Sequence, residues 1–169
     1  MNRITNPDLK LNIDEAQVSK ARTEPHRTVL VVGGNGFLGR YIVKMLSEDS
    51  NVKVIVLDIA LPAAEIRIDS VTYIQGNILN SDHIAAVFAR EQVHSVIHTA
   101  SLIPIADTSK EAMQLVNVGG TKNLLAAAKT YGVTSFVYTS SATVGRLLCN
   151  DLSNLFLIAV MMRAFIVKQ

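Results

Sequence analysis

Residues 28–39 read TVLVVGGNGFLG, and this stretch decides how the rest of the sequence is interpreted. Its first residues are β-branched and apolar, which is typical of a strand buried on both faces. Glycines follow at positions 33, 36 and 39, and a backbone without Cβ atoms can turn tightly and approach a phosphate group. A helix starting directly after them offers free N–H groups and the positive end of its dipole. The stretch therefore predicts a strand, a phosphate-binding loop and a helix, in that order.

The helix that follows the loop is predicted over residues 37–47. Apolar side chains recur there at helical spacing, which indicates an amphipathic helix packed on a core. We expect a single apolar face made by Phe37, Leu38, Tyr41, Ile42, Met45 and Leu46.

Strands and helices alternate along the next hundred residues. Strands are predicted over 51–57, 71–75, 93–98 and 133–139, and helices over 81–91 and 109–131. Ser81 and Ser109 are the expected N-caps, and Gly132 is the expected end of the long second helix. The alternation predicts an α/β Rossmann fold, a doubly wound parallel sheet with strand order 3-2-1-4-5 and an incomplete C-terminal half. Its ligand crevice should lie at the carboxyl ends of the strands.

One acidic residue bears on the choice of dinucleotide. Asp58 ends the second predicted strand, about 20 residues beyond the last glycine of the loop. A carboxylate there accepts hydrogen bonds from both ribose hydroxyls and repels a 2′-phosphate, so the sequence favours NAD over NADP. Arg40, just after the loop, is the residue that could reach a 2′-phosphate, although a solvated position on the helix explains it more simply.

Composition excludes several other classes of protein. The net charge is +2 and the basic residues are scattered without interleaved aromatics, so nucleic acid is a poor partner. The single cysteine, Cys149, cannot form an internal disulfide, which favours a reducing compartment and a cytoplasmic location. Residues 155–167 are apolar but too short for a membrane span and contain Arg163. We expect a buried or interfacial helix there, the latter in contact with the endoplasmic reticulum membrane.

Three segments follow from this composition. Residues 1–26 are polar, without the apolar core of a secretory signal, and are predicted to be a flexible tail. Residues 27–144 are predicted to form the NAD-binding domain, and residues 145–169 a divergent apolar tail.

Four stretches in the expected order carry a resemblance to a known family. They are VVGGNGFLGR (31–40), VIHTAS (96–101), NVGGT (117–121) and VYTSSA (137–142). With them the chain resembles the extended short-chain dehydrogenases, and most closely the 3-beta-hydroxysteroid dehydrogenase/isomerase family, which includes the sterol-4-alpha-carboxylate 3-dehydrogenases. The resemblance implies oxidation of a sterol 3-beta-hydroxyl with hydride transfer to NAD, and so a sterol or other hydroxyl-bearing small molecule as substrate.

The same resemblance implies roles for individual residues. The loop residues Gly33, Gly36, Phe37, Leu38 and Gly39 would hold the pyrophosphate, and Asp58 the adenosine ribose. Asn77, in the place of the family's acidic residue, would contact adenine through its amide oxygen, with Ile78 beside it.

Other implied positions surround the reacting end of the cofactor. Ala100 and Ser101 would line the nicotinamide, and Asn117 would lie in the helix beneath the site, where an ordinary helical asparagine is the alternative. Ser141 matches the family's catalytic serine. Its hydroxyl would bind the substrate oxygen near the hydride-accepting carbon.

The family's catalytic Tyr-x-x-x-Lys pair has no counterpart in the sequence. The last tyrosine is Tyr138, and none of the tyrosines has a lysine four residues on. We therefore expect a truncated form that lacks the general acid/base, either as a homo-oligomer or paired with a full-length enzyme.

Two other functions stay open, namely a nucleotide-sugar epimerase or dehydratase of the extended family and a non-catalytic dinucleotide-binding or interaction module. His98 shows no metal-ligand spacing with the other histidines, and a core position is favoured over a role as a base. No metal site is predicted.

Overall fold

The computed structural model describes residues 27–104, residues 108–139 and the backbone of residues 163–165. The strands are β1 (Arg27–Val32), β2 (Val52–Asp58), β3 (Val71–Gln75), β4 (Ser95–His98), β5 (Ser135–Tyr138) and β6 (Arg163–Phe165). The α-helices are α1 (Phe37–Ser47), α2 (Ser81–Glu91), α3 (Lys110–Gln114) and α4 (Thr121–Thr130). A short 3-10 helix (Ala64–Ile66) precedes β3, and a π-helical turn (Leu115–Gly120) joins α3 to α4.

All six strands form one sheet in the order β3-β2-β1-β4-β5-β6. Strands β1 to β5 are parallel, which confirms the predicted order 3-2-1-4-5. The sixth strand was not predicted: residues 163–165, assigned to a helix from the sequence, pair antiparallel with β5, Arg163 opposite Tyr138. An exposed edge strand offers unpaired N–H and C=O groups, and this short segment satisfies those of β5.

The sheet is apolar on both faces because the buried apolar side chains of β1 and β2 belong to one or the other of two cores. One core contains Val29, Val31, Val54 and Val56 and is covered by Val43 of α1. The other contains Leu30, Val32, Ile55, Leu57 and Val96, and is covered by α2 and α4 through Ile84, Phe88 and Leu124. Burial of such side chains on both faces explains the nearly continuous apolar sequence of these strands.

Helix α1 packs through only part of the apolar face that the sequence predicted. Ile42 and Leu46 are partly buried and pack against the core beside Val43. Phe37, Tyr41 and Met45 are exposed by 77%, 59% and 73%, and the buried residues of the helix are Gly39 and Val43. The close approach of Gly39 to the glycine loop fixes the rotation of the helix, and residues spaced by four on the opposite side then face outward. Phe37 and Tyr41 contact each other there, with ring centroids 5.5 Å apart in an edge-to-face arrangement.

The caps of α2 and of the long helical segment differ from the prediction in detail. The N-cap of α2 is Asn80, whose side chain accepts a hydrogen bond from the His83 amide, and not Ser81. Ser109 does cap α3, where its hydroxyl accepts from the Ala112 amide at 3.0 Å. Gly132 ends α4 with φ +69°, as expected.

The long helix predicted over 109–131 is helical throughout residues 110–130 but is not a single α-helix. The π-helical turn interrupts it over residues 115–120, where two consecutive glycines lower the barrier to an irregular backbone. Gly120 lies directly against the Ile78 side chain, so a Cβ atom could not fit there. Single π-helical turns within α-helices occur often at functional sites.

Candidate functional site

The glycine loop (residues 33–36, between β1 and α1) lies against the end of β4. Gly33 has φ +81°, and a Cβ on it would lie 2.6 Å from the Ala100 nitrogen and 2.8 Å from the Ala100 Cα. A left-handed backbone and this contact with another backbone both require glycine. The loop after β1 and the loop after β4 are thereby joined at the carboxyl edge of the sheet.

Gly39 and Gly36 serve different purposes in the same loop. A Cβ on Gly39 would collide with the Gly33 carbonyl oxygen and lie 2.7 Å from the Gly34 Cα, so glycine is needed for α1 to pack on the loop. Gly36 is exposed, and a Cβ there would meet only the Gly33 carbonyl oxygen, at 3.2 Å. The surface above Gly36 is consequently open to a ligand.

The first turn of α1 offers hydrogen-bond donors to that open surface. Its N-cap, Gly36, supplies no side-chain bond, and the turn contains no acidic residue. The first N–H groups of a helix have no partner within the helix, and its dipole places partial positive charge there. Phe37 and Leu38 extend their side chains outward, 77% and 44% exposed, beside these donors. This helix start can bind an anion such as a phosphate.

Asp58 is held at the end of β2 by two backbone amides. Its Oδ2 accepts a hydrogen bond from Asn35 N at 2.9 Å, and its Oδ1 accepts from Ile59 N at 2.7 Å. Asn35 also donates through its side-chain Nδ2 to the Ala60 carbonyl oxygen. Each carboxylate oxygen keeps capacity for one further donor. Asn35, which the sequence did not single out, therefore connects the glycine loop to the end of β2.

Asn77 and Ile78 follow β3 at the same edge, but only Asn77 exposes its side chain. Its Oδ1 accepts from Leu79 N at 2.9 Å, so the predicted acceptor for adenine already takes part in a local turn. The Ile78 side chain is 7% exposed and packs in the core against Gly120. Ile78 can therefore contact a ligand in the crevice only through its backbone.

Ala100 and Ser101 follow β4 and stand next to the glycine loop. The Ala100 amide donates to the Val32 carbonyl oxygen at 3.1 Å, and the Thr99 hydroxyl lies within hydrogen-bond distance of both the Val32 and Gly33 carbonyl oxygens. Ser101 is exposed. Ser141, the predicted catalytic residue, lies outside the described residues.

Two asparagines from the helical segment 110–130 bind the loops of this edge. The Asn117 side chain accepts from Leu102 N at 2.7 Å and donates to Leu102 O at 2.8 Å. The Asn123 side chain donates to the Ile78 carbonyl oxygen at 3.0 Å. Asn123 was missed from the sequence, because a helical asparagine gives no sign of which loop it faces.

His98 lies in the core, as favoured from the sequence. It has no exposed surface, and burial lowers its pKa to about 4, so the ring is neutral near pH 7. The Thr121 hydroxyl donates to the Asn117 carbonyl oxygen at 2.7 Å and must accept from His98 Nε2, 3.0 Å away. His98 Nδ1 is then an unprotonated acceptor, and it has no hydrogen-bond partner among the described residues.

Arg40 is exposed and lines a cavity of about 230 Å³ between α1 and residues 62–73, beside Asn35 and Lys44.

Within the described part of the chain, no three His, Cys, Asp or Glu side chains are close enough to share a metal ion. No helix of that part is long and apolar enough to cross a membrane.

Comparison with solved structures shows the same fold. UDP-glucose 4-epimerase of Thermus thermophilus, solved as a complex with NAD, has a TM-score of 0.60 and 29% identity over 68% of this chain and 37% of its own.

Curated relatives come from the steroid branch. Rat 3 beta-hydroxysteroid dehydrogenase type 7 is 38% identical over 138 residues, or 78% of this chain and 38% of the relative. The sterol-4-alpha-carboxylate 3-dehydrogenase (decarboxylating) of Schizosaccharomyces pombe is 34% identical over 122 residues, or 71% of this chain and 35% of the relative. The chain thus spans less than two fifths of the length of either relative. The model of the 3-beta hydroxysteroid dehydrogenase/isomerase family matches residues 30–150, well over half of the chain, and the chain belongs to that family.

Proposed function

We propose that this chain binds NAD at the carboxyl edge of its sheet, as the cofactor-binding part of a 3-beta-hydroxysteroid dehydrogenase-like protein. The observation that carries the proposal is the position of the uncapped start of α1 beside the Asp58 carboxylate. Asn35 connects the glycine loop directly to Asp58, since its backbone N–H donates a hydrogen bond to Asp58 Oδ2 at 2.9 Å. A donor-rich helix start and a carboxylate side by side match a phosphate linked to a ribose diol.

Each element of the site has a distinct part in holding the dinucleotide. The open surface at Gly36 and the free N–H groups at the start of α1 would hold the pyrophosphate, with Phe37 and Leu38 beside it. Asp58 accepts from the ribose hydroxyls with the lone pairs that Asn35 and Ile59 leave free. Because a 2′-phosphate would bring negative charge against this carboxylate, NAD is bound in preference to NADP.

The two ends of the dinucleotide would be held by loops that follow different strands. Asn77 and the backbone of Ile78 would hold the adenine, and Ala100 and Ser101 would line the nicotinamide. When bound, NAD supplies the hydride acceptor of the family reaction. Ser141 is proposed to orient a substrate hydroxyl by hydrogen bonding.

The polypeptide of 169 residues is proposed to bind NAD without turning over a sterol. General acid–base help contributes typically about 10²–10⁴-fold, and a serine hydroxyl alone cannot take a hydroxyl proton near neutral pH. No tyrosine of the sequence is followed by a lysine at the fourth position. The deciding experiment combines calorimetric titration with NAD and NADP with an assay of NADH formation from a 3-beta-hydroxysteroid. Tighter binding of NAD without NADH formation supports the proposal, and failure to bind either cofactor overturns it.

A nucleotide-sugar epimerase-type function is the second candidate. It is favoured by the likeness to the Thermus thermophilus epimerase, which extends over 68% of this chain at 29% identity. Both functions would use the same dinucleotide site, and they differ in the substrate and in whether it undergoes a net oxidation. Thermal-shift titration of the NAD-loaded protein with a UDP-hexose and with a 3-beta-hydroxysteroid separates them.

A further inference from the structure

The cavity between α1 and residues 62–73 has apolar walls. They are formed by Val43 of α1, by Pro62 and Ile68 of the loop before β3, and by Tyr73 of β3. Val43 is buried and the other three are partly buried. The volume is about 230 Å³, and because a water molecule occupies about 30 Å³ of a liquid, the cavity has room for about seven or eight non-hydrogen atoms. An apolar group of that size is stabilised by leaving water.

The loop that closes this cavity is held by its own hydrogen bonds. The Asn35 side chain donates through Nδ2 to the Ala60 carbonyl oxygen, and Arg67 Nε donates to the Pro62 carbonyl oxygen at 3.0 Å. The Ile68 N–H donates to the Tyr73 hydroxyl oxygen at 3.3 Å. Because these bonds fix the loop in the folded chain, a ligand that enters the cavity does not have to order it.

Two cations stand at the same cavity. Arg40 and Lys44 both line it, are both exposed, and lie one helical turn apart on α1. Like charges at this spacing repel each other and destabilise a helix slightly. Within residues 27–104 and 108–139, neither of them forms an ion pair, and no aspartate or glutamate is among the residues that line the cavity. An anion bound between the two cations would relieve their repulsion.

We infer that this cavity binds a small amphipathic anion, with an apolar body between the walls and a carboxylate at Arg40 and Lys44. The Tyr73 hydroxyl accepts from Ile68 and keeps its own proton to donate to the ligand. The inference does not depend on the proposed function, because neither Gly36 nor Asp58 lines the cavity. The ligand should accordingly bind whether or not a dinucleotide is present.

The first experiment titrates the full chain with octanoate, which carries a carboxylate on an alkyl chain of about the size of the cavity. Octanol has the same chain without the charge, and acetate has the charge without the chain. In calorimetric titrations, octanoate should bind about tenfold or more tightly than either of the other two, since each of them loses one half of the interaction. Equal affinity for octanoate and octanol, or for octanoate and acetate, overturns the inference.

The second experiment tests whether octanoate binds at these two cations. Lys44→Gln and Arg40→Gln should each weaken octanoate binding about threefold or more, because each variant loses a charge-assisted contact in a partly solvated position. Lys122→Gln and Lys129→Gln are the matched controls, since both remove an exposed cation from another helix, α4. The controls should bind octanoate like the unmutated protein. All four positions are exposed, and an unchanged temperature of thermal unfolding verifies that each variant is folded.

Three results contradict the inference. Unchanged octanoate affinity in the Arg40 and Lys44 variants would mean that octanoate binds elsewhere on the chain. The same loss in the two controls would mean that only the net charge matters. Displacement of octanoate by NAD or NADP would mean that the cavity belongs to the dinucleotide site. Failure of the unmutated protein to bind NAD or NADP overturns the proposed function alone and leaves the titration with octanoate as a complete test of the cavity.

Discussion

Gly33 and Ala100 touch through their backbones: a Cβ added to Gly33 would lie 2.6 Å from the Ala100 nitrogen. Gly33 also has φ +81°, whereas Gly132 has φ +69° with no atom within 4 Å of an added Cβ. Comparison of alanine variants at the two glycines therefore separates the free-energy cost of a left-handed backbone from the cost of a steric collision.

Alanine should be tolerated at Gly132 far better than at Gly33. The left-handed conformation alone costs an alanine about 1–2 kcal/mol, so Gly132→Ala should lose about that much free energy of unfolding. Gly33→Ala should lose clearly more, because the Ala100 backbone must also move. Urea denaturation of the two variants measures both losses, and equal losses would show that the contact with Ala100 does not constrain the loop.

Removal of the Asp58 charge should narrow the preference for NAD. In Asp58→Asn we expect NAD to bind about tenfold more weakly, since a charge-assisted hydrogen bond contributes about 1.5–3 kcal/mol, while NADP is no longer repelled. Asp49→Asn is the matched control, because it removes the same charge before the start of β2, at the opposite edge of the sheet. Calorimetry should show an altered ratio of NAD affinity to NADP affinity in the Asp58 variant alone. The same ratio of affinities in the unmutated protein and in both variants contradicts the assignment of Asp58 to the adenosine ribose.

Gly36→Val should abolish cofactor binding while the fold persists. A side chain at Gly36 would stand in the open space above the loop, close only to the Gly33 carbonyl oxygen at 3.2 Å. The pyrophosphate and the valine would then compete for one volume. Thermal unfolding should change little and NAD titration should lose its signal. Unchanged NAD affinity would show that the phosphates bind elsewhere.

His98 should make the fold sensitive to mild acid. Burial lowers its pKa to about 4 in the folded chain, from an ordinary value of 6.5. Its contribution to stability is fully present above pH 6.5, falls as the unfolded state takes up a proton below that pH, and is gone below about pH 4. Between pH 7 and pH 5 the loss should be about 2 kcal/mol.

The control for that prediction is His98→Gln, which cannot titrate. Its free energy of unfolding should be lower overall but should change far less between pH 7 and pH 5. A parallel pH dependence in both proteins would mean that another group causes the loss. Glu91 does not interfere in this range: burial opposes its ionisation, yet its bonds to Lys53 and Arg90 lower its pKa, so its effect begins at more acidic pH.

Features that depend on local chemistry could be predicted from the sequence. The five parallel strands follow from apolar, β-branched runs, and their order is that of the doubly wound dinucleotide-binding fold that the glycine loop indicates. Ser109 and Gly132 were identified as helix ends because capping requires those residue types. The glycine loop and Asp58 were placed at one edge because the carboxyl ends of parallel strands meet there.

Features that depend on tertiary packing could not be predicted from the sequence. The exposed Phe37, Tyr41 and Met45 have the helical spacing of a buried face, and only the contact between Gly39 and the loop decides which side of α1 faces inward. The π-helical turn has no periodic signature, because its six residues differ from a regular helix by a single register shift. The pairing of residues 163–165 with β5 is a contact between segments far apart in sequence, about which local composition carries no information.

The two amides that bind Asp58 also bear on the entropy of ligand binding. Both come from the protein backbone, so folding itself selects one rotamer of this side chain. A free aspartate would lose rotational entropy each time that it bound a ribose, and that loss would subtract from the affinity. Because the carboxylate is already oriented, this entropy is lost when the chain folds, and an adenosine-bearing ligand does not lose it again on binding.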